Sequence, residues 1–230
     1  VSMNQRLLYD LIQAKRGRAV IMSKDAWGCY NRIGHIANLL ALRRLGIPRP
    51  PILAMLETIQ KMQHYIRTAF GQSTWSYGGD PSKPSPQGIL QGNGAGPASW
   101  FAICSIMIDC MKAEGYGFAD VSAVSQHAMN LVCFAFVDDT NLVHSTFDPS
   151  LTSAELFDEA QAALLTWESL LLATGSALKP SKSYWYHLDY PCVRGVWKPK
   201  HIQDAPGELI LHNKGTPYTC LLYTSDAADE

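Results

Sequence analysis

Apolar residues recur along this chain with two different periods, and the switches between those periods lay out its elements. Leu7, Leu8, Leu11 and Ile12 stand at helical spacing within residues 5–16. That spacing predicts a helix closed by Gly17 ahead of a short apolar strand, Ala19 to Met22, with Asp25 following the strand. A second helix is expected over about residues 33–45, stopped by Gly46 and Pro48, and a third starts at Pro50-Pro51 and carries Ile52, Met55, Leu56 and Ile59. His64 to Phe70 alternates as a strand does, and Gly71-Gln72 separates it from Ser73 to Tyr77, which predicts a hairpin before the Pro-rich stretch Pro81 to Pro86.

Beyond Gly92 to Gly96, a buried helix is expected from Pro97 to Lys112, ending near Gly115. Leu131 to Val137 and Thr140 to His144 are apolar strands meeting at Asp138-Asp139, a second hairpin. Thr152 and Glu155 make a capping box for a helix reaching Thr174-Gly175, with Leu156, Phe157, Ala160, Leu164, Trp167 and Leu171 on one face. Strands broken by helix pairs and joined by hairpins describe an α+β domain built on an antiparallel sheet.

With 230 residues the chain can bury one core, and 47% hydrophobic against 17% charged residues excludes extensive disorder. No apolar run reaches the roughly 20 residues of a membrane helix, so no membrane partner is expected. Six cysteines, Cys29, Cys104, Cys110, Cys133, Cys192 and Cys220, lack zinc spacing and suggest buried thiols in a reducing compartment, cytoplasm or nucleus. The net charge of -1 conceals an asymmetry: residues 1–70 hold 11 Lys/Arg against 3 Asp/Glu, and residues 71–230 hold 8 against 17. The first third is the part suited to a polyanion.

Both ends read as truncations: Val1 enters a helical pattern almost at once, and residues 220–230 resemble the translation of a sequencing-library adapter, which leaves residues 1–219 as the domain proper.

Three stretches carry chemistry. Asp25 leads a run through Tyr30-Asn31-Arg32, where an acidic residue between strand and helix is either a cap or a ligand. Asp138 and Asp139 crowd two carboxylates at the tip of an apolar hairpin, where their repulsion needs a cation to offset it. Gln91-Gly92-Asn93-Gly94-Ala95-Gly96-Pro97 lacks the Lys-Ser/Thr of a phosphate loop, yet its glycines admit a close backbone approach.

Together and in order, these stretches resemble the palm motifs of reverse transcriptases, particularly those of retrotransposons and intron-type elements. Asp25 to Arg32 resembles the first aspartate motif, with Tyr30 as its aromatic, and Asn31 stands where relatives commonly carry aspartate. Gln91 to Pro97 resembles the Gln-Gly motif, Phe136 to Asp139 the aromatic-x-Asp-Asp motif, and Gly175 to Lys182 the following Gly-x-x-Leu-Asn-x-x-Lys motif, with Lys179 in place of Asn. The resemblance covers roughly residues 5–190.

It implies an α+β polymerase palm, its Asp-Asp hairpin sheet packed on helices, with part of the fingers. The activity implied is RNA-directed DNA polymerisation: a dNTP added to a primer 3′ hydroxyl on an RNA template. By the same resemblance, Asp25, Asp138 and Asp139 ligate two Mg2+ ions, for which Mn2+ can substitute. Hard oxygen donors suit such ions. Ala26 lines the triphosphate, Tyr30 stacks under the sugar and rejects a ribose 2′ hydroxyl, Gln91 and Gly92 hold the template-side geometry, and Lys182, with Lys179 as competitor, donates a proton to pyrophosphate. The partners implied are an RNA template, a DNA primer and dNTP. The rival readings are an RNA-templated RNA polymerase, which Tyr30 opposes, and an inactive remnant or nucleic-acid-binding module, which the intact aspartates oppose.

Overall fold

The structure, a computed structural model, describes residues 2–80, 87–198, 200, 207–210, 219 and 220. The Pro-rich stretch 81–86 and residues 221–230 of the expected adapter tail lie outside the described residues. The elements in chain order are α1 (Ser2–Ala14), β1 (Arg18–Asp25), α2 (Cys29–Arg32), α3 (His35–Arg44), α4 (Arg49–Lys61), β2 (His64–Thr68), β3 (Gly71–Tyr77) and α5 (Gly96–Ala113). They continue with β4 (Phe118–Val121), β5 (Ala128–Leu131), β6 (Cys133–Phe136), β7 (Asp139–Thr146), α6 (Ser153–Ala173), β8 (Tyr184–Leu188), β9 (Cys192–Val193), β10 (Val196–Trp197) and β11 (Thr219–Cys220). The mixed α and antiparallel β content agrees with the sequence reading.

The chain divides into two compact units. The first gathers residues 1–26, 107–171 and 178–230, and the second gathers 27–106 and 172–177. The first is built on a five-stranded sheet of order β11-β8-β1-β7-β6, in which β1 lies at the centre, antiparallel to both neighbours. Alternation along β1 sends Ala19 and Ile21 to one face, where they join Leu8 and Ile12 of α1, Phe118 and Val143. Met22 pairs with Trp185 and Val20 with His187 on the other face, where Phe157 of α6 meets both rings edge-on at centroid distances of 5.0 and 5.2 Å. Helices cover both faces, so residues 19–22 form a continuous apolar run with every side chain buried.

α6 opens with the expected capping box: Thr152 N–H donates to Glu155 Oε2 at 2.7 Å, and Glu155 N–H donates to Thr152 Oγ1 at 3.2 Å.

In the second unit α3 and α4 pair, burying Ala41, Leu42, Ile52, Leu56 and Ile59, and β2–β3 form the expected hairpin. The single helix expected from residue 33 to 45 begins only at His35, because a separate short helix, α2, precedes it and Ile33 adopts an extended conformation between the two. The sequence asymmetry in charge follows the two units: the second carries seven Lys/Arg against two Asp/Glu, the first twelve against eighteen.

Candidate functional site

In the first unit the sheet brings two of the candidate aspartates face to face. Asp25 closes β1, Asp139 opens β7, and the two are direct partners in the antiparallel register. Residues so paired have Cβ atoms about 4.5–5.5 Å apart and side chains on the same face. Phe136 pairs with Asp139, so Val137 and Asp138 are the two residues of a tight turn. Val137 takes φ 58, a left-handed conformation that a β-branched residue adopts only under constraint. A primed turn is what the twist of a two-residue hairpin demands, and here it is met without glycine.

The three backbones therefore converge, but their carboxylates do not form one cluster: among the described residues no three His, Cys, Asp or Glu side chains are grouped to hold a metal ion. The Asp25 carboxylate has its own counter-charge instead, with Lys182 Nζ 3.4 Å from its Oδ2. The donor set still fits a hard divalent ion, since it offers carboxylate oxygens at adjoining strand ends and one of them already attracts a cation.

The segment after α6 clasps the end of β1. Lys179 N–H donates to the Asp25 carbonyl at 2.9 Å, Asp25 N–H donates to Ser183 Oγ at 3.3 Å, and the Ser183 hydroxyl donates to the Lys179 carbonyl at 2.9 Å. Ala26 is buried and bridges Leu178. Lys179 thus serves Asp25 through its backbone, and Lys182 through its ammonium. Ser183, buried at 2% exposure, was not legible as a site residue, because the Asp25 N–H that it accepts from lies 158 positions upstream.

Lys24, beside Asp25 but on the α6 face, is 2% exposed and lies over the Trp167 ring at 4.9 Å from the centroid. Burial drives its pKa well below the usual lysine range, against the opposing pull of Cys133 and Glu168.

The second unit holds the remaining candidates. Tyr30 and Asn31 belong to α2, and residues 88–91 lie against them. Ile89 N–H donates to the Tyr30 carbonyl at 2.8 Å, and Gln91 N–H donates to Asn31 Oδ1 at 2.8 Å. Gly88 is required at its position, as a Cβ there would fall 2.2 Å from the Asn31 carbonyl carbon. A Cβ on Gly96 would meet the Tyr30 ring at 3.2 Å, so that glycine and the ring are in close contact. Gln91 and Gly92 are exposed, and Gly92, at φ 90, has open space where a Cβ would stand.

His35 joins Gln60 to this loop. Its Nε2 lies 3.1 Å from the Gly88 carbonyl, and Gln60 Nε2 lies 3.0 Å from its Nδ1. A neutral ring protonated at Nε2 satisfies both contacts. On the other side of α2, Trp27 N–H donates to the Ala177 carbonyl at 2.7 Å and Gly34 N–H to the Thr174 carbonyl at 2.8 Å.

No family model matches the chain, and no curated protein matches it. Similarity appears among solved structures. Apo telomerase from Candida tropicalis, truncated from its C-terminal domain, superposes with a TM-score of 0.50 at 12% identity over 85% of this chain and 40% of that one. Telomerase from Candida tropicalis in complex with a TWJ fragment of telomeric RNA gives 0.49 at 13% identity, over 85% of this chain and 33% of that one. The corresponding Candida albicans complex gives 0.41 at 15% identity, over 79% and 30%. The chain thus spans at most 40% of the length of these proteins, and at this identity what it shares with the truncated Candida tropicalis telomerase is the fold alone.

Proposed function

We propose that this chain is the palm, with part of the fingers, of an RNA-directed DNA polymerase of retrotransposon or intron type. The observation that carries the reading is the register of β1 on β7, which sets Asp25 opposite Asp139 with Asp138 in the adjoining turn. Nucleotidyl transfer needs carboxylates gathered at one reacting phosphate, and this strand pair gathers them from 114 residues apart. The telomerase-like fold is in keeping with it.

Asp25, Asp138 and Asp139 would hold two Mg2+ ions, or Mn2+ in their place. Ions held there would supply activation of the primer hydroxyl and offset of charge on the departing pyrophosphate. The chain's own groups do the rest. Lys182, tethered to Asp25, supplies a mobile ammonium beside the carboxylates that can donate a proton to pyrophosphate. Ala26 lines the triphosphate. Tyr30 presents a ring that a deoxyribose tolerates and a ribose 2′ hydroxyl meets with a clash. Gln91 and Gly92 offer an exposed backbone to the template-side base.

The test is primer extension by the protein on an RNA template with a DNA primer and Mg2+, with dNTPs and rNTPs offered separately. The expected result is dNTP incorporation, lost in Asp25→Asn and Asp139→Asn. Preferential rNTP incorporation would make it an RNA polymerase, and no incorporation of either would leave an inactive remnant.

A further inference from the structure

We propose that Asn31 is a positioning residue that holds the Gln91–Gly92 loop against α2, so that the Tyr30 ring and the backbone of residues 91 and 92 meet an incoming nucleotide as one preset surface. This rests on the polymerase reading given above.

The geometry begins with strain. Leu90 takes φ 72 although it is not glycine, and the next glycine, Gly92, takes φ 90. A non-glycine residue stays in the left-handed region only where its neighbours are fixed on both sides. Ile89 is fixed by its N–H on the Tyr30 carbonyl at 2.8 Å, and Gln91 by its N–H on Asn31 Oδ1 at 2.8 Å. One of these tethers is backbone and does not depend on a side chain. The other depends on a single side chain. Because the Gln91 N–H can only donate, Asn31 must present its carbonyl oxygen, and a carboxylate could accept that bond equally well.

The rest of the loop leaves Asn31 as the adjustable point. Gly88 is pressed on the backbone of Tyr30 and Asn31, and its carbonyl is taken by His35, itself held by Gln60. Downstream, Asn93 Oδ1 accepts from Ala95 N–H at 3.0 Å, a local turn that fixes residues 93–95 to one another. Between the clamp at 88–89 and the turn at 93–95, Asn93 N–H donates to the Leu90 carbonyl at 3.3 Å, and the Asn31 contact adds a side-chain restraint on Gln91 itself. Gly96 abuts the Tyr30 ring. The tether at Asn31 therefore sets the distance from the ring at one end of the loop to the peptide at 91–92 in its middle.

Asn31 is exposed, so its substitution should not unfold the protein. The experiment compares wild type, Asn31→Ala and Asn31→Asp by amide hydrogen exchange and by steady-state single-nucleotide extension on an RNA template. Exchange at the Gln91 amide should speed up in Asn31→Ala and return to the wild-type rate in Asn31→Asp, while the buried Ile21 amide reports that the fold is intact. Losing one hydrogen bond predicts a rise in KM for dNTP of about three- to ten-fold in Asn31→Ala, with kcat within about two-fold and Asn31→Asp close to wild type. Unchanged exchange at Gln91 would overturn the tether, and faster exchange with unchanged KM would overturn its role in nucleotide positioning. A wild-type protein that extends no primer would sink the polymerase reading, and with it the nucleotide half of this inference, while the exchange rates still decide the tether.

Discussion

The Lys182–Asp25 pair makes Lys182 an internal competitor for any metal that Asp25 would bind, and removing it should tighten metal binding before any chemistry is measured. At 3.4 Å the gross attraction is about 5 kcal/mol for an effective dielectric near 20. Lys182 is 62% exposed, however, so solvent screening and side-chain entropy cut the net value to about 0.2–1 kcal/mol. A divalent ion arriving at Asp25 must displace that ammonium, and Lys182→Met relieves it of the cost. The expected gain in affinity is up to about five-fold, since about 1.4 kcal/mol is a factor of ten. Mn2+ titrations followed by electron paramagnetic resonance or calorimetry read it directly, with Asp25→Asn as the background in which the gain should vanish. In chelator, without metal, Lys182→Met should cost no more than about 1 kcal/mol of stability. The affinity gain should shrink at high ionic strength, which screens an exposed pair. Equal Mn2+ affinity in Lys182→Met and wild type would refute the competition and reduce the pair to an incidental surface contact.

Three further expectations follow from single residues. Val137→Gly relieves a left-handed conformation costing about 1–2 kcal/mol and adds about 0.5–1 kcal/mol of unfolded-chain entropy, so denaturant melts should show a gain of up to about 1.5 kcal/mol. A lower midpoint would mean that the turn is not strained. Burial pushes the His187 pKa down to about 4 from an ordinary 6.5. Between those values the unfolded chain takes up the proton first, so stability is full above 6.5 and falls as pH drops towards 4. His187→Phe should flatten that slope in thermal melts run from about pH 4 to 7, and an unaltered slope would assign it to other groups. Tyr30→Val should admit ribonucleotides in single-addition assays while dNTP incorporation continues, and an unchanged sugar preference would make Tyr30 a packing residue only.

Local pattern in the sequence was enough for the long helices and for the β2–β3 and Asp-Asp hairpins, and it failed where a partner far along the chain decides the outcome. The strand expected over Ala19 to Met22 runs on through Asp25, because Ser23, Lys24 and Asp25 pair with β7 despite their polarity, and Ser23 also with β8. A polar triplet reads as the end of a strand. Lys24 stays in it because its ammonium sits over Trp167, a residue 143 positions away whose place under β1 no local signal reveals. The same holds for β8, which was not legible as a strand, since its hydrogen-bonded partner is β1. The short strands β4 and β5 escaped for a different reason: among the described residues they pair with each other alone, and their exposed residues carry no apolar alternation.

The aspartates are the instructive case. Their residue types and order were readable from the sequence, and the register that sets Asp25 against Asp139 was not. One residue of slip in β1 would turn Asp25 to the α6 face and Lys24 to the α1 face. What prevents the slip is the burial of Ala19 and Ile21 on α1 and of Val20 and Met22 beside Trp185 and His187, all well inside the sheet. An apolar core with no chemistry of its own therefore fixes which way the Asp25 carboxylate points. Substituting Ile21 with a polar residue should accordingly damage the carboxylate pair as surely as replacing Asp25 itself, although Ile21 lies four positions from it.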